Sequence, residues 1–415
     1  MASSVRVVLS TALALSILLV ACGGNDASSG GDSASGEASG QIEVWGMEIE
    51  GEAIEKLAAD FMKENPDIEV DVNVIGWDVA HDKLLTSVAG DETPDVSMMG
   101  TTWMGEFADQ GVLAEVPDSI DETAFFDSAW ETVLFEDTAQ GAPFHIDTRV
   151  LYYRTDVAKK AGFEGPPETW EDMQTMAEAM KEKGGAKYGI YLMPNNWQEF
   201  LPELWQAGGA PMEGDQFTLD SPESVEALEF HQWFFDEGLV PPTPAEGYDP
   251  TQPFVDGDVP MFFSGPWHVA IIEETGGKSV EGKWDVAPMP RNESGTSFVG
   301  GSDLVVYNQS DNQPAAWEFV EYLTSPEVQA KFHDMTGDLP AALDAWGQGN
   351  LAQDEHLQVF RDQMGEAEAP PVIPTWEQVA AEAIAPGIEQ ATIGDASAQE
   401  AATSMQEKAT SIGTD

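Results

Sequence analysis

Between residues 52 and 63 the apolar positions Ile54, Leu57, Ala58, Phe61 and Met62 recur at the i, i+3, i+4, i+7, i+8 spacing of a helix with one buried face. Asn65-Pro66 supplies its stop. Ahead of it, residues 41–45 read as a short strand. Behind it, Ile68, Val70, Val72 and Val74 alternate with acids and Asn, the period-two signature of a half-buried strand. A β-α-β opening argues for an α/β class with parallel pairing. The same grammar recurs downstream. Thr169 with Asp172 three residues on predicts a capped helix start, and Met173, Met176, Ala177 and Met180 give that helix a buried stripe ending at Gly184-Gly185. Ser221-Pro222-Glu223 and Ser325-Pro326-Glu327 each place an N-cap serine, a proline at the first helical position and an acid in the first turn. Thr375 with Gln378 predicts a further capping box. Residues 150–153, 261–263 and 304–307 read as strands, and Pro241-Pro242-Thr243-Pro244 as a loop. No repeat of 20–50 residues is present. No clean linker cuts the chain into consecutive domains, so domains built from discontinuous segments are the expectation.

Composition narrows the function. The 415 residues carry 75 Asp plus Glu against 17 Lys plus Arg, a formal net charge of −58, with 42% hydrophobic residues. That hydrophobic share supports packed cores despite the charge. The acidity excludes nucleic acid and anionic membrane surfaces as partners, because both need a basic face. Cys22 is the single cysteine, which excludes an intrachain disulfide, a cysteine zinc site and CxxC redox chemistry. Exposed acidic surface repels itself and salt relieves that repulsion, so a salt-loving source is a further expectation.

The N-terminus reads as an address. Arg6 precedes an apolar run over residues 7–20, about 14 long, shorter than the roughly 20 a span needs but of signal-peptide length. It ends Leu19-Val20-Ala21-Cys22-Gly23-Gly24, which resembles a bacterial lipobox. In that motif a peptidase cuts before the cysteine and the thiol then carries diacylglycerol. An ordinary secretory signal with an incidental cysteine is the alternative. Residues 25–40 are Gly, Ser, Ala and acid without apolar period, a flexible tether.

Catalytic signatures are missing. His81, His145, His231, His268, His333 and His356 include no pair at i, i+3 or i, i+4, so helical metal motifs are absent. There is no P-loop, GxGxxG or GxSxG. Asp256-Gly257-Asp258 reads as a turn. A paired-carboxylate glycosidase has no motif to test, since 75 acids always offer some pair. The 13 Trp say more: flat aromatic faces suit the C–H faces of sugar rings, and acids or amides accept from hydroxyls. Trp170, Trp233 and Trp317 lie on helical stripes and read as core. Trp103, Trp197, Trp267 and Trp376 sit at element ends.

Several segments, in order, resemble the solute-binding lipoproteins of bacterial sugar ABC transporters, the maltose-binding-protein-like group. Pro94-Asp95-Val96 through Trp103 to Gly111-Val112-Leu113 is similar to one family segment. Pro143-Phe144-His145-Ile146-Asp147, with Val150-Leu151-Tyr152-Tyr153 and Asp156, resembles another, with Arg154 where Asn or Asp is usual. Pro167-Glu168-Thr169-Trp170 resembles a helix start, and Phe254-Val255-Asp256-Gly257 through Met261 to Gly265-Pro266-Trp267 is a close likeness. Gly300-Gly301-Ser302-Asp303-Leu304, Ala316-Trp317-Glu318-Phe319, Tyr322-Leu323-Thr324-Ser325-Pro326-Glu327 and Gly337-Asp338-Leu339-Pro340 resemble the late segments.

The resemblance implies an α/β, two-lobe periplasmic-binding-protein-like fold of type II, with discontinuous lobes joined by a hinge and the ligand cleft between them. Its parts would be a signal peptide over 1–21, a tether over 22–40, lobe one over 41–146 plus 296–345, and lobe two over 147–295 plus 346–415. It implies binding of a sugar outside the cell, an α-linked di- or oligosaccharide, and delivery to an ABC importer by hinge closure. The implied ligand-binding residues are Glu48, Thr102, Trp103, Asp147, Asn196, Trp197, Trp267, Gly301 and Trp376, with lipidation at Cys22. Asp147 could equally be a structural hinge acid. The resemblance implies no catalysis, no cofactor and no metal. Its partners would be a carbohydrate, ABC permease subunits and a lipid anchor in the membrane, the protein itself being a monomer. A same-fold binder of a non-sugar cargo such as a polyamine, a surface glycoside hydrolase, and a sensor or adhesin subunit remain the alternatives.

Overall fold

Parallel strands with helical crossovers start the structure, as the opening pattern predicts. The computed structural model describes residues 38–242 and 249–414. Cys22, the tether up to residue 37, and Thr243-Pro244 of the proline loop lie outside the described residues. Gly40–Met47 pairs in parallel with both Ile68–Ile75 and Val96–Gly100. Between the first two runs the helix Glu48–Glu64, which buries Ile54, Leu57, Ala58 and Phe61 and begins four residues earlier than the apolar spacing suggests. The main sheet continues through Ser297–Val306, antiparallel to Val96–Gly100, then Ala142–Thr148 and Leu339–Pro340. Ala367–Glu368 pairs with the start of Ser297–Val306. The strand expected at 304–307 is thus the end of a ten-residue strand that stops at Val306, one residue earlier.

A second, antiparallel sheet has Val150–Tyr153 between Met261–Ser264 and Asp285–Ala287. One residue, Arg149, separates its central strand from Ala142–Thr148 of the main sheet. Among the described residues the helices cover these two sheets, a mixed α/β architecture.

Local chemistry accounts for most element ends. Thr169 and Asp172 form the reciprocal capping box that their spacing predicts. Ser221 accepts from the Ser224 N–H. Two helix starts depart from expectation. Ser325 donates to the Tyr322 carbonyl instead of capping, and the helix Pro326–Thr336 relies on its N-terminal proline. The Thr375–Gln378 box does not form: the Thr375 side chain makes no cap bond, and its Oγ1 donates to the Gly413 carbonyl at 2.7 Å. Trp170 and Trp317 are core, as their stripes imply, and Trp233 is half-buried. Trp170 stacks on Phe230 with centroids 3.9 Å apart. Arg154, the departure within its segment, is buried; it donates to the Phe254 and Val255 carbonyls at 2.6 and 2.7 Å and pairs with Asp156. It satisfies backbone acceptors at the end of the helix Thr251–Asp256, which leads into the second sheet.

Candidate functional site

Three parallel strands end on one side of the main sheet, and the residues that follow each of them face a common cavity. After Gly40–Met47 comes Glu50, in the first turn of Glu48–Glu64. After Ile68–Ile75 comes Trp77, and after Val96–Gly100 come Thr101, Thr102 and Trp103. Ligand sites in open α/β sheets form beyond the carboxyl ends of strands for this topological reason. The antiparallel partners add His145 and Asp147 from Ala142–Thr148, and Phe298, Gly300 and Gly301 from Ser297–Val306. Asp338, Gln198 and Trp267 complete the walls. The cavity holds about 320 Å³, the scale of a small-ligand site. A larger one, about 560 Å³, is lined by Phe125, Phe126, Leu343 and acids, without indole, imidazole or amide. Convergent polar and aromatic groups mark the smaller as the binding candidate.

Arg149 organises one wall. Its Nη1 donates to Asp147 Oδ1 at 2.6 Å, and its Nη2 to Gln198 Oε1 at 3.4 Å. Its guanidinium lies 4.9 Å from the Trp267 ring centroid and 5.6 Å from that of Phe298. A planar cation on an aromatic face is held by the ring quadrupole. Trp267 is itself 37% exposed. Its ring lies across Gly265, where an added Cβ would meet the indole at 2.1 Å; only glycine at Gly265 leaves room. On another wall Trp77 and Trp103 meet edge to face, centroids 5.6 Å apart, and His81 packs on Trp103 at 5.1 Å.

Of the residues singled out from sequence, Thr102, Trp103, Asp147, Trp267 and Gly301 line this cavity. Four do not. Glu48 is exposed at φ 40°, and its Oε1 accepts from the Trp77 N–H at 3.3 Å. Asn196 caps the helix Trp197–Gln206 by accepting from the Gln198 N–H. Trp197 packs edge to face against Phe298 and Trp376, both at 5.7 Å. Trp376 is fully buried within an apolar cluster. Glu50, Trp77, His145, Gln198 and Asp338 line the cavity without having been selected. Two of them had a readable signal. Glu50 lies four residues before Ile54 on the buried stripe, and His145 shares a strand face with Asp147. Burial, with Asp338 nearby, holds the Glu50 carboxyl above its ordinary range, while His145 opposes the shift.

Behind Gln198 the same helix turns Glu199 and Glu203 inward against His231 of the helix Pro222–Asp236, all three buried. His231 Nδ1 lies 2.9 Å from Glu203 Oε2, and Nε2 lies 3.2 Å from the Met193 carbonyl. Both ring nitrogens face acceptors, so the ring donates to both only when doubly protonated. Burial would lower the His231 pKa, but the Glu203 carboxylate overcomes it and the net shift is upward. Burial pushes the Glu199 carboxyl up to about 7, against the pull of His231 and the Met193 N–H. A raised acid favours folding fully below its unfolded pKa, near 4.5, and loses that contribution as pH rises through about 7. The raised histidine has the same sign, its share present below 6.5 and lost as pH passes its folded value. Unfolding free energy measured in urea should therefore fall from pH 5 to pH 8. Glu199→Gln should remove roughly 2–3 kcal/mol of that fall; an unchanged difference between the two pH values would contradict the assignment.

The family described as bacterial extracellular solute-binding protein matches residues 45–330. The structure is similar to that of the sugar-binding protein MalE from Xanthomonas citri, with TM-score 0.85 and 32% identity, covering 90% of this chain and 97% of that one. The diacetylchitobiose binding protein DasA of Streptomyces coelicolor is 26% identical over 88% of this chain and 87% of its own. The maltooligosaccharide ABC transporter solute-binding lipoprotein of Streptococcus pneumoniae serotype 4 is 25% identical over 84% and 83%. The fold is accordingly the mixed α/β periplasmic-binding-protein fold of the MalE structures. With the family spanning most of the chain, this protein belongs to the bacterial extracellular solute-binding proteins, in the maltose- and oligosaccharide-binding-like group of the ABC transporters, and is a binder with no catalytic role.

Proposed function

We propose that this protein binds an α-linked di- or oligosaccharide outside the cell and hands it to the permease of an ABC importer. The observation that carries the reading is Trp267, exposed and supported from below by Arg149, in a cavity whose other walls present Trp77, Trp103, Gln198 and carboxylates. An aromatic platform takes the C–H face of a sugar ring, and the polar groups take its hydroxyls. Thr102, Trp103, Asp147, Trp267 and the Gly301 backbone would contact the sugar, joined by Trp77 and Gln198. Glu48, Asn196, Trp197 and Trp376 would act from behind, by setting the positions of Trp77, Gln198 and Phe298. The two lobes would follow residues 41–146 plus 296–345 and 147–295 plus 346–415, with Arg149 beside one crossing and the sugar stabilising the closed state. Cys22 would carry the lipid that keeps the protein at the outer face of the membrane, in line with the lipoprotein relative.

Calorimetric titration with maltose, maltotriose, diacetylchitobiose and spermidine tests this. One α-glucan should bind, and Trp267→Ala should weaken it about 10- to 100-fold with little change in stability. Binding of spermidine alone, or sugar binding indifferent to Trp267→Ala, would overturn the proposal.

A further inference from the structure

Three ligand-type side chains meet at the floor of this cavity from distant parts of the chain. Glu50 comes from the first turn of Glu48–Glu64 and His145 from the strand Ala142–Thr148. Asp338 directly precedes Leu339–Pro340, whose pairing with His145 and Ile146 fixes its place beside that strand. One donor atom from each lies within 4.8 Å of the other two. Each residue also holds a buried polar atom with no hydrogen-bond partner: Glu50 Oε2, His145 Nε2 and Asp338 Oδ2. Glu50 is 9% and His145 7% exposed, so these are not groups left to bulk water. A buried polar atom without a partner costs free energy, and three residues that each carry one, with ligand atoms within 4.8 Å of one another, indicate something that satisfies them together.

We propose that Glu50, His145 and Asp338 bind one divalent first-row metal ion of the Zn2+ or Mn2+ class. Charge supports it: Asp147 has its cation in Arg149, whereas no Lys or Arg pairs with Glu50 or Asp338 among the described residues. Two carboxylates and one neutral imidazole balance a +2 ion and form the mixed oxygen and nitrogen set that such ions accept. Bonds of about 2.0–2.2 Å hold ligand atoms roughly 3–4 Å apart, so the trio closes on an ion by side-chain adjustment of the order of 1 Å. Three protein ligands leave coordination positions open toward the cavity. The metal claim rests on these three side chains and not on the identity of the sugar, although both would share one cavity.

The test is a metal titration of the purified protein without sugar. The protein is first stripped with EDTA, then kept in about 0.5 M NaCl to suppress loose binding by surface acids. One Zn2+ per chain should bind in calorimetry, and Co2+ should give visible absorption bands that Zn2+ abolishes. His145→Gln and Asp338→Asn should each lower affinity at least tenfold and remove the bands, with circular dichroism unchanged. His356→Gln, beside Asp285 at 3.4 Å in the second-sheet region, should leave both intact. Absence of stoichiometric metal, or binding that survives His145→Gln, would overturn the site. If the trio serves sugar hydroxyls instead, the same variants will weaken sugar while no metal binds, which also overturns it.

Discussion

Gly301→Ala should destabilise the protein by about 4 kcal/mol or more, a large part of a typical folding free energy. Two costs add at this position. Its φ of +119° lies where residues with a Cβ are strained. The added Cβ would also sit 2.1 Å from the His145 carbonyl oxygen and 2.8 Å from the Ile146 Cα. Both atoms belong to the paired strand, so no flexible side chain can yield. Gly349 provides the contrast: its φ is +51° and an added Cβ meets nothing within 4 Å. Gly349→Ala should cost only the backbone term, about 1–2 kcal/mol. Urea unfolding of the two variants separates conformational strain from collision. Equal losses would show that strand contact at Gly301 has no special weight. The same crowding places the Gly301 backbone against His145 and gives the cavity floor its shape.

His231→Leu should cost about 3–5 kcal/mol at pH 7, because it leaves Glu203, 2% exposed, buried without its partner. Glu199 loses the same compensating charge. The double variant His231→Leu, Glu203→Met should recover most of that loss, since a buried ion pair replaced by apolar residues of similar volume is often neutral. A double variant as unstable as the single one would mean that the pair matters through its shape, not its charge. Because Gln198 sits on the helix that carries Glu199 and Glu203, the single variant should also loosen the contact between Gln198 and Arg149.

Periodicity made much of the fold legible. The stripe Ile54, Leu57, Phe61 and the alternation Ile68, Val70, Val72 gave the first β-α-β unit its type and pairing sense. Local rules failed where a distant segment engages the side chain concerned, as the Gly413 carbonyl does the Thr375 hydroxyl. The candidate site shows the same division. Trp267 was readable through the family resemblance of Gly265-Pro266-Trp267, and the structure shows why that segment is local: glycine makes room for the indole. Asp338 was not, because nothing near it in sequence points to His145; strand pairing across about 190 residues brings them together. Trp376 misled in the opposite direction. It lies at an element end, as a loop aromatic would, yet it is fully buried in an apolar cluster with Trp197 packed against it.

The position of Ser297–Val306 in the main sheet bears on how such a chain reaches its place of work. It lies between Val96–Gly100 and Ala142–Thr148, joined to the former across about 200 residues. Until it arrives, those two strands have no shared neighbour and the sheet remains in two pieces. Pairings of such long sequence separation form slowly. A chain emerging from its N-terminus thus cannot join the two pieces of its central sheet until roughly its first 300 residues have been made. In a chain that folds as it emerges, this strand order acts as a built-in delay, postponing closure of the core until the late strand has arrived.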